Sequence, residues 1–296
     1  MYSTTQRLRA PVRVVLVLVS LFFVGPCWVG GAENPVEDLL NQAQAASLKG
    51  DRANALALAN QAIQLAPTNA QGFYVRGRIY SSRGDRTNAM ADFNRVLQME
   101  PRAGQVYEHR GLEYFRMGRF KEALDDFEIF LRYQPKSAPF FWQKGVACYF
   151  AGRFEDARKQ FELHRLVNSN DVQNAAWHFA SVARQHGAAP ARAALFSNLN
   201  DRRVPMMPIY GLLQGRTTVD AVLQAARAGR PAPAELKARL FHAHYYVGLY
   251  YESLGEASLA RMHISAAADE YAPPIFMGEV AKVHAALLRG EISSAR

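Results

Sequence analysis

The chain has 296 residues, 49% hydrophobic and 21% charged, with a formal net charge of +9 and two cysteines. That balance places it among globular chains long enough for a continuous stacked core, and two cysteines leave no disulfide framework or metal-ligand spacing. Basic and acidic residues are interspersed, as in Arg119-Phe120-Lys121-Glu122 and Asp125-Asp126, whereas a nucleic-acid partner would call for clustered Lys and Arg with aromatics between them.

Residues 1–32 carry arginines at 7, 9 and 13, no acid, and then the apolar run Val14 to Val24. This is a secretory signal pattern. The run falls short of the roughly 20 apolar residues that span a bilayer, and Gly25-Pro26 follows at once. Gly30 and Ala32 put small residues where a signal peptidase reads, so cleavage is expected after Ala32. Loss of the three arginines takes the charge from +9 to +6. The expected location is periplasmic or cell-envelope. Two membrane attachments stay open: an uncleaved signal, or lipidation at Cys27, although Pro26 stands where lipid signals carry a small residue.

From residue 36 a period of 34 takes over. Gly77, Gly111 and Gly145 keep that step, as do Pro67, Pro101 and Pro135, and Gly50, Gly84, Gly118 and Gly152 with Ala55, Ala89, Ala123 and Ala157 extend it to four copies: 36–69, 70–103, 104–137 and 138–171. A glycine inside a helix costs about 1 kcal/mol relative to alanine, so Gly111 within VYEHRGLEYFRM needs a packing reason. Close approach to Ala123 on a second helix supplies it, with Tyr114, Phe120 and Phe127 filling the space around. Gly118 marks the reversal between the two helices and Pro135 ends the second. The first copy replaces large aromatics with alanine, as a terminal unit does. Cys148 takes the Tyr114 position and is read as a buried hydrophobe.

The pattern G-x-x-Y, G-x-F-x-x-A-x-x-x-F, then Pro resembles the tetratricopeptide repeat. The resemblance implies an all-α superhelix of helical hairpins with a concave groove that takes a protein or peptide. Residues 172–240 lose the phase and read as an irregular section of short helices with proline and glycine joints. Residues 241–274 restore it through Gly248, Tyr251, Gly255 and Ala260, and Ile275 to Leu288 read as a closing helix of the last domain, 241–296. Four repeats, an irregular section and a last repeat ending YYVGLYYESLGEASLA resemble the NlpI family of envelope lipoproteins. That likeness implies a scaffold for envelope proteases and peptidoglycan hydrolases, often dimeric, so a homodimer is among the expected assemblies.

Enzyme motifs are absent: the sequence has no G-x-S-x-G, no H-E-x-x-H and no phosphate-cradling glycine loop. The chain is therefore read as a non-enzyme without cofactor or metal. His242 and His244 point to different sides of a helix, and His109, His164 and His263 are read as packing or surface residues. The alternative is an envelope enzyme whose active site lies within 172–240, where His178, Ser181, His186 and Asp201 are the available groups.

Two expectations concern side chains directly. Arg76, Arg110 and Lys144 each precede a helix glycine, and Asp92, Asp126 and Gln160 stand sixteen residues later; each arginine is expected to meet the aspartate of its own hairpin. In the repeat family, set positions on each first helix line the groove. They give Tyr74 and Arg78, then Leu112, Phe115 and Arg116, then Trp142, Tyr149 and Phe150 as the partner-binding set. The groove is either open to a partner or filled by 172–240.

Overall fold

Left-handed glycines turn each helix back on its predecessor. Gly84, Gly118 and Gly152 have φ of +76°, +75° and +71°, a region that costs an L side chain about 1–2 kcal/mol. The computed structural model describes residues 34–293; the expected leader, with Cys27 and its attachment alternatives, lies outside them. Among the described residues every regular element is helical, and none is long and apolar enough to cross a membrane.

Four hairpins come first: α1 (Pro35–Leu48) with α2 (Arg52–Leu65), α3 (Ala70–Arg83) with α4 (Arg86–Met99), α5 (Gly104–Arg116) with α6 (Phe120–Tyr133), and α7 (Trp142–Phe150) with α8 (Phe154–Arg165). α9 (Val172–His186) packs on α8. The short α10 (Ala188–Ala193), α11 (Met206–Leu213) and α12 (Val219–Arg227) lead to α13 (Pro233–Ser253), which pairs with α14 (Ala257–Ala266); α15 (Phe276–Arg289) closes the chain. The Gly111 crossing forms as its sequence demands: a Cβ there would lie 2.6 Å from the Phe127 ring and 3.2 Å from the Ala123 carbonyl.

Two boundaries differ from expectation. The fourth hairpin starts its helix at Trp142: Pro135–Ser137 forms a separate 3-10 turn, and Pro139 has no backbone N–H with which to carry helical hydrogen bonding onward. The carbonyls left over are met from α8: Gln160 donates to Ala138 at 2.8 Å and the His164 Nδ1–H to Pro139 at 2.9 Å. Residue 241 falls inside a continuous helix, since α13 begins at Pro233, where proline suits the first turn. The section 172–240 thus holds a regular fifteen-residue helix, α9, besides its short pieces.

The core grows along the chain. Between α1, α2 and α3 it is Leu40, Val75, Ile79 and alanines such as Ala43, Ala55 and Ala59. From Phe115 onward a single aromatic cluster runs through α5 to α9 and on to α13 and α15. Cys148 lies fully inside it, and burial pushes its thiol up to about 12.

Candidate functional site

The concave row is carried by the first helix of each hairpin, and its two halves have different fates. On α5 and α7 it is covered by the chain's own last helix. The Phe276 ring lies 5.4 Å from Phe115 and 5.5 Å from Trp142, Glu279 accepts from Arg116 Nε at 2.7 Å, and His284 lies 4.9 Å from Phe150. Trp177 of α9 adds contacts at 5.2 Å to Tyr149 and 5.9 Å to Phe150. Phe115 is fully buried, Tyr149 and Phe150 are buried and Trp142 is half-buried. Phe115, Tyr149 and Phe150, expected to meet a partner, are therefore intramolecular core, and Trp142 packs against that core while staying partly accessible. The cause is the hydrophobic effect: an aromatic row with an amphipathic helix on the same chain is buried by that helix first. The expected occupant, 172–240, contributes α9, while the helix on the face itself is α15.

On α3 and the start of α5 the row remains accessible. Arg78 is exposed, 5.8 Å from the ring of half-buried Tyr74. Tyr74 meets His109 edge-on at 5.5 Å, and Leu112 and Glu108 are half-buried beside them. Burial raises the Glu108 carboxyl above its ordinary range and lowers the His109 imidazole, so both charges are disfavoured here. Glu108 stands at one of the expected groove positions of its repeat, whereas His109, one residue on, does not and was not expected there.

Arg116 sits at the seam between the halves. Besides Glu279 it binds Glu113, a carboxylate with no exposed surface that also accepts from Ser81 and, at 3.3 Å, from Arg86. Two guanidiniums and a hydroxyl satisfy that buried charge, which an incomplete set would not. The network ties α3, α4, α5 and α15 together where the open row ends.

Beyond the seam a pocket of about 730 Å³ is lined by Tyr149, Arg184, Glu252 and His284 on its polar side and Leu287 and Ile292 on its apolar side. Tyr149 donates to Glu252 at 2.8 Å and Arg184 at 3.3 Å; His284 Nε2 lies 3.2 Å from the same carboxylate without the alignment of a hydrogen bond. Burial would raise the Glu252 carboxyl, but His284, Tyr149 and Arg184 outweigh it and hold it below its ordinary value.

Three of the four groups named for an enzyme in 172–240 serve separate structural contacts. Ser181 donates to the Trp177 carbonyl of its own helix, Asp201 accepts from Arg203 and the Val172 N–H, and His178 faces Glu162 at 3.2 Å. His186 is exposed at the end of α9. Among the described residues no group of three or more His, Cys, Asp or Glu is placed to hold a metal. His242 and His244 diverge as expected, but His244 finds another histidine: its Nδ1 lies 3.1 Å from Nδ1 of His263 on α14.

Comparison with known proteins matches residues 70–102 and 109–165 to family descriptions that read tetratricopeptide repeat. A solved tetratricopeptide repeat protein from Parabacteroides merdae ATCC 43184 is similar at 16% identity and a TM-score of 0.56, over 86% of this chain and 99% of that one. MamA from Desulfovibrio magneticus RS-1 is similar at 16% identity and a TM-score of 0.50, over 54% of this chain and 90% of that one. At such identities the likeness is one of fold. No curated protein matches the chain, and the comparisons do not confirm the NlpI likeness.

Proposed function

We propose that this tetratricopeptide-repeat protein is an exported, non-enzymatic scaffold that takes a segment of a partner protein along α3 and α5. The observation that carries this reading is the contrast along one row: Arg78 is exposed over Tyr74, whereas Phe115 is sealed beneath Phe276. Arginine and tyrosine are side chains that dominate protein interfaces, and half-buried Leu112 on α5 offers an apolar contact, which suits an extended or helical partner segment. Arg116, tied to Glu279, bounds the site. The signal pattern of residues 1–32 supports the cell envelope as its place, with a lipid on Cys27 or an uncleaved signal as the means of attachment. A scaffold of this kind would link envelope proteases or cell-wall hydrolases, and a second copy of the chain is a candidate partner.

A photo-crosslinking residue placed at position 78 or at position 142 in cells tests the reading. Position 78 is expected to capture a partner and position 142 to yield only the chain itself. Capture from 142 with none from 78 would overturn it. Purified protein is expected to turn over no esterase, protease or cell-wall substrate.

A further inference from the structure

The pocket of about 730 Å³ at the ends of α7, α9, α13 and α15 lies within the roughly 300–1,000 Å³ range of small-ligand sites. Its lining divides by what a ligand can reach. Tyr149, Phe150 and His284 are buried and lie behind the rest. The polar side chains that reach solvent are Arg184, 38% exposed, Glu252, 16% exposed, and Ser293. The apolar ones are half-buried Phe154, Leu287, Leu288 and Ile292. Ile292 is seated on the turn between α5 and α6, where a Cβ on Gly118 would lie 3.0 Å from its Cδ1.

The two charged groups differ in what they have left to offer. Glu252 is spent: one oxygen accepts from Arg184 Nη1 at 3.3 Å, and the other accepts from Tyr149 at 2.8 Å and faces His284 Nε2 at 3.2 Å. Arg184 reaches Glu252 through Nη1 alone, with the Tyr149 hydroxyl as the other acceptor beside it, so the guanidinium keeps N–H donors over. It lies 4.9 Å from the Phe154 ring and 6.0 Å from that of Tyr149, which hold it in place. An ammonium would meet this cation and find no acceptor with capacity to spare. A wholly apolar ligand would strip water from Arg184 and return no acceptor, which is costly. A carboxylate matches the planar fork. Arg184 is the only Lys or Arg in the lining, which suits one negative charge rather than two. Ser293 can donate or accept and does not discriminate.

We propose that this pocket binds a carboxylate borne on an apolar group, with the carboxylate on Arg184 and the apolar group against Leu287, Leu288 and Ile292. The ligand is either a free acyl-chain carboxylate or an apolar residue at the C-terminus of a polypeptide. The site is independent of the groove along α3 and α5.

Purified protein is titrated by calorimetry with octanoate beside octanol, and with acetyl-Ala-Ala-Leu beside its C-terminal amide. The expected result is saturable binding of a carboxylate at least about tenfold tighter than its neutral counterpart, with that preference lost in Arg184→Gln. Arg184 is exposed, so this variant should unfold at the parent's temperature. Ile292→Ser should weaken the charged and neutral ligands alike, and Arg78→Ala in the groove should change neither. Which carboxylate binds identifies the source. No saturable binding of either carboxylate, a neutral counterpart that binds as tightly, a preference that survives Arg184→Gln, or binding lost in Arg78→Ala overturns the assignment.

Discussion

Arg110 and Asp126, sixteen residues apart on the two helices of one hairpin, meet in a two-pronged ion pair: Nε and Nη2 each reach one carboxylate oxygen at 2.8 Å. The Arg110 side chain is 19% exposed and that of Asp126 only 4%. The remaining Nη1 reaches Asn94 of the preceding hairpin at 2.8 Å, and Arg76 repeats the arrangement with Asp92 and Asn60. The pair therefore stitches within and between repeats. Lys144 breaks the series, because Gln160 is taken by the Ala138 carbonyl.

Removing Asp126 alone strands a partly buried guanidinium, so Asp126→Ala is expected to cost about 3 kcal/mol. Arg110→Ala in the Asp126→Ala background should then cost much less than in the parent. Urea unfolding of the four proteins of this double-mutant cycle measures the coupling, and a coupling near zero would reduce the pair to independent surface charges.

Gly111→Ala sets two effects against each other. Helix propensity favours alanine by about 1 kcal/mol, but the new methyl would sit 2.6 Å from Phe127, and overpacking typically costs about 1–3 kcal/mol. Net destabilisation is expected in calorimetry, partly reversed by adding Phe127→Leu.

Cutting into the covered half of the row should hurt the fold. Phe150→Ala removes a buried ring that contacts Phe115, Phe120, Trp177 and His284 and is expected to cost about 3–5 kcal/mol. Arg78→Ala, on the exposed half, should change stability by less than about 0.5 kcal/mol while reducing partner capture. Thermal unfolding alongside crosslinking yield separates the two, and the opposite pattern would exchange the roles of the halves.

Acid should loosen the last hairpin through His244 and His263. Burial first, and then the charge of His244, lower His263 to about 4, while burial and Arg227 lower His244. Both folded values lie below the ordinary 6.5, so the unfolded chain binds more protons in that window. Stability is then fully present above pH 6.5 and is lost as pH falls toward 4, by on the order of 2–3 kcal/mol for His263. Denaturant midpoints between pH 7 and 4 measure it, and His263→Phe should flatten the profile.

The repeat itself was legible before any coordinates because its signals are local. Gly111 against Ala123, the turn at Gly118 and the Arg110–Asp126 pair all lie within one hairpin, where helix length and a short loop leave few ways to meet. The irregular section was less legible, since α9 and the early start of α13 at Pro233 are regular helices without the repeat's punctuation. The fate of the groove was not legible at all. Phe115, Trp142, Tyr149 and Phe150 form an apolar row whose burial lowers the free energy equally well under a partner or under the chain's own helix, and composition does not tell these apart. The tertiary structure decided it by returning α15 across the row, joining Arg116 to Glu279 over a separation of 163 residues. It also brought Arg184 and Leu288, from two helices distant in sequence, around one pocket. Such meetings depend on how the stacked hairpins add up to a superhelix, and no periodicity in the chain encodes them.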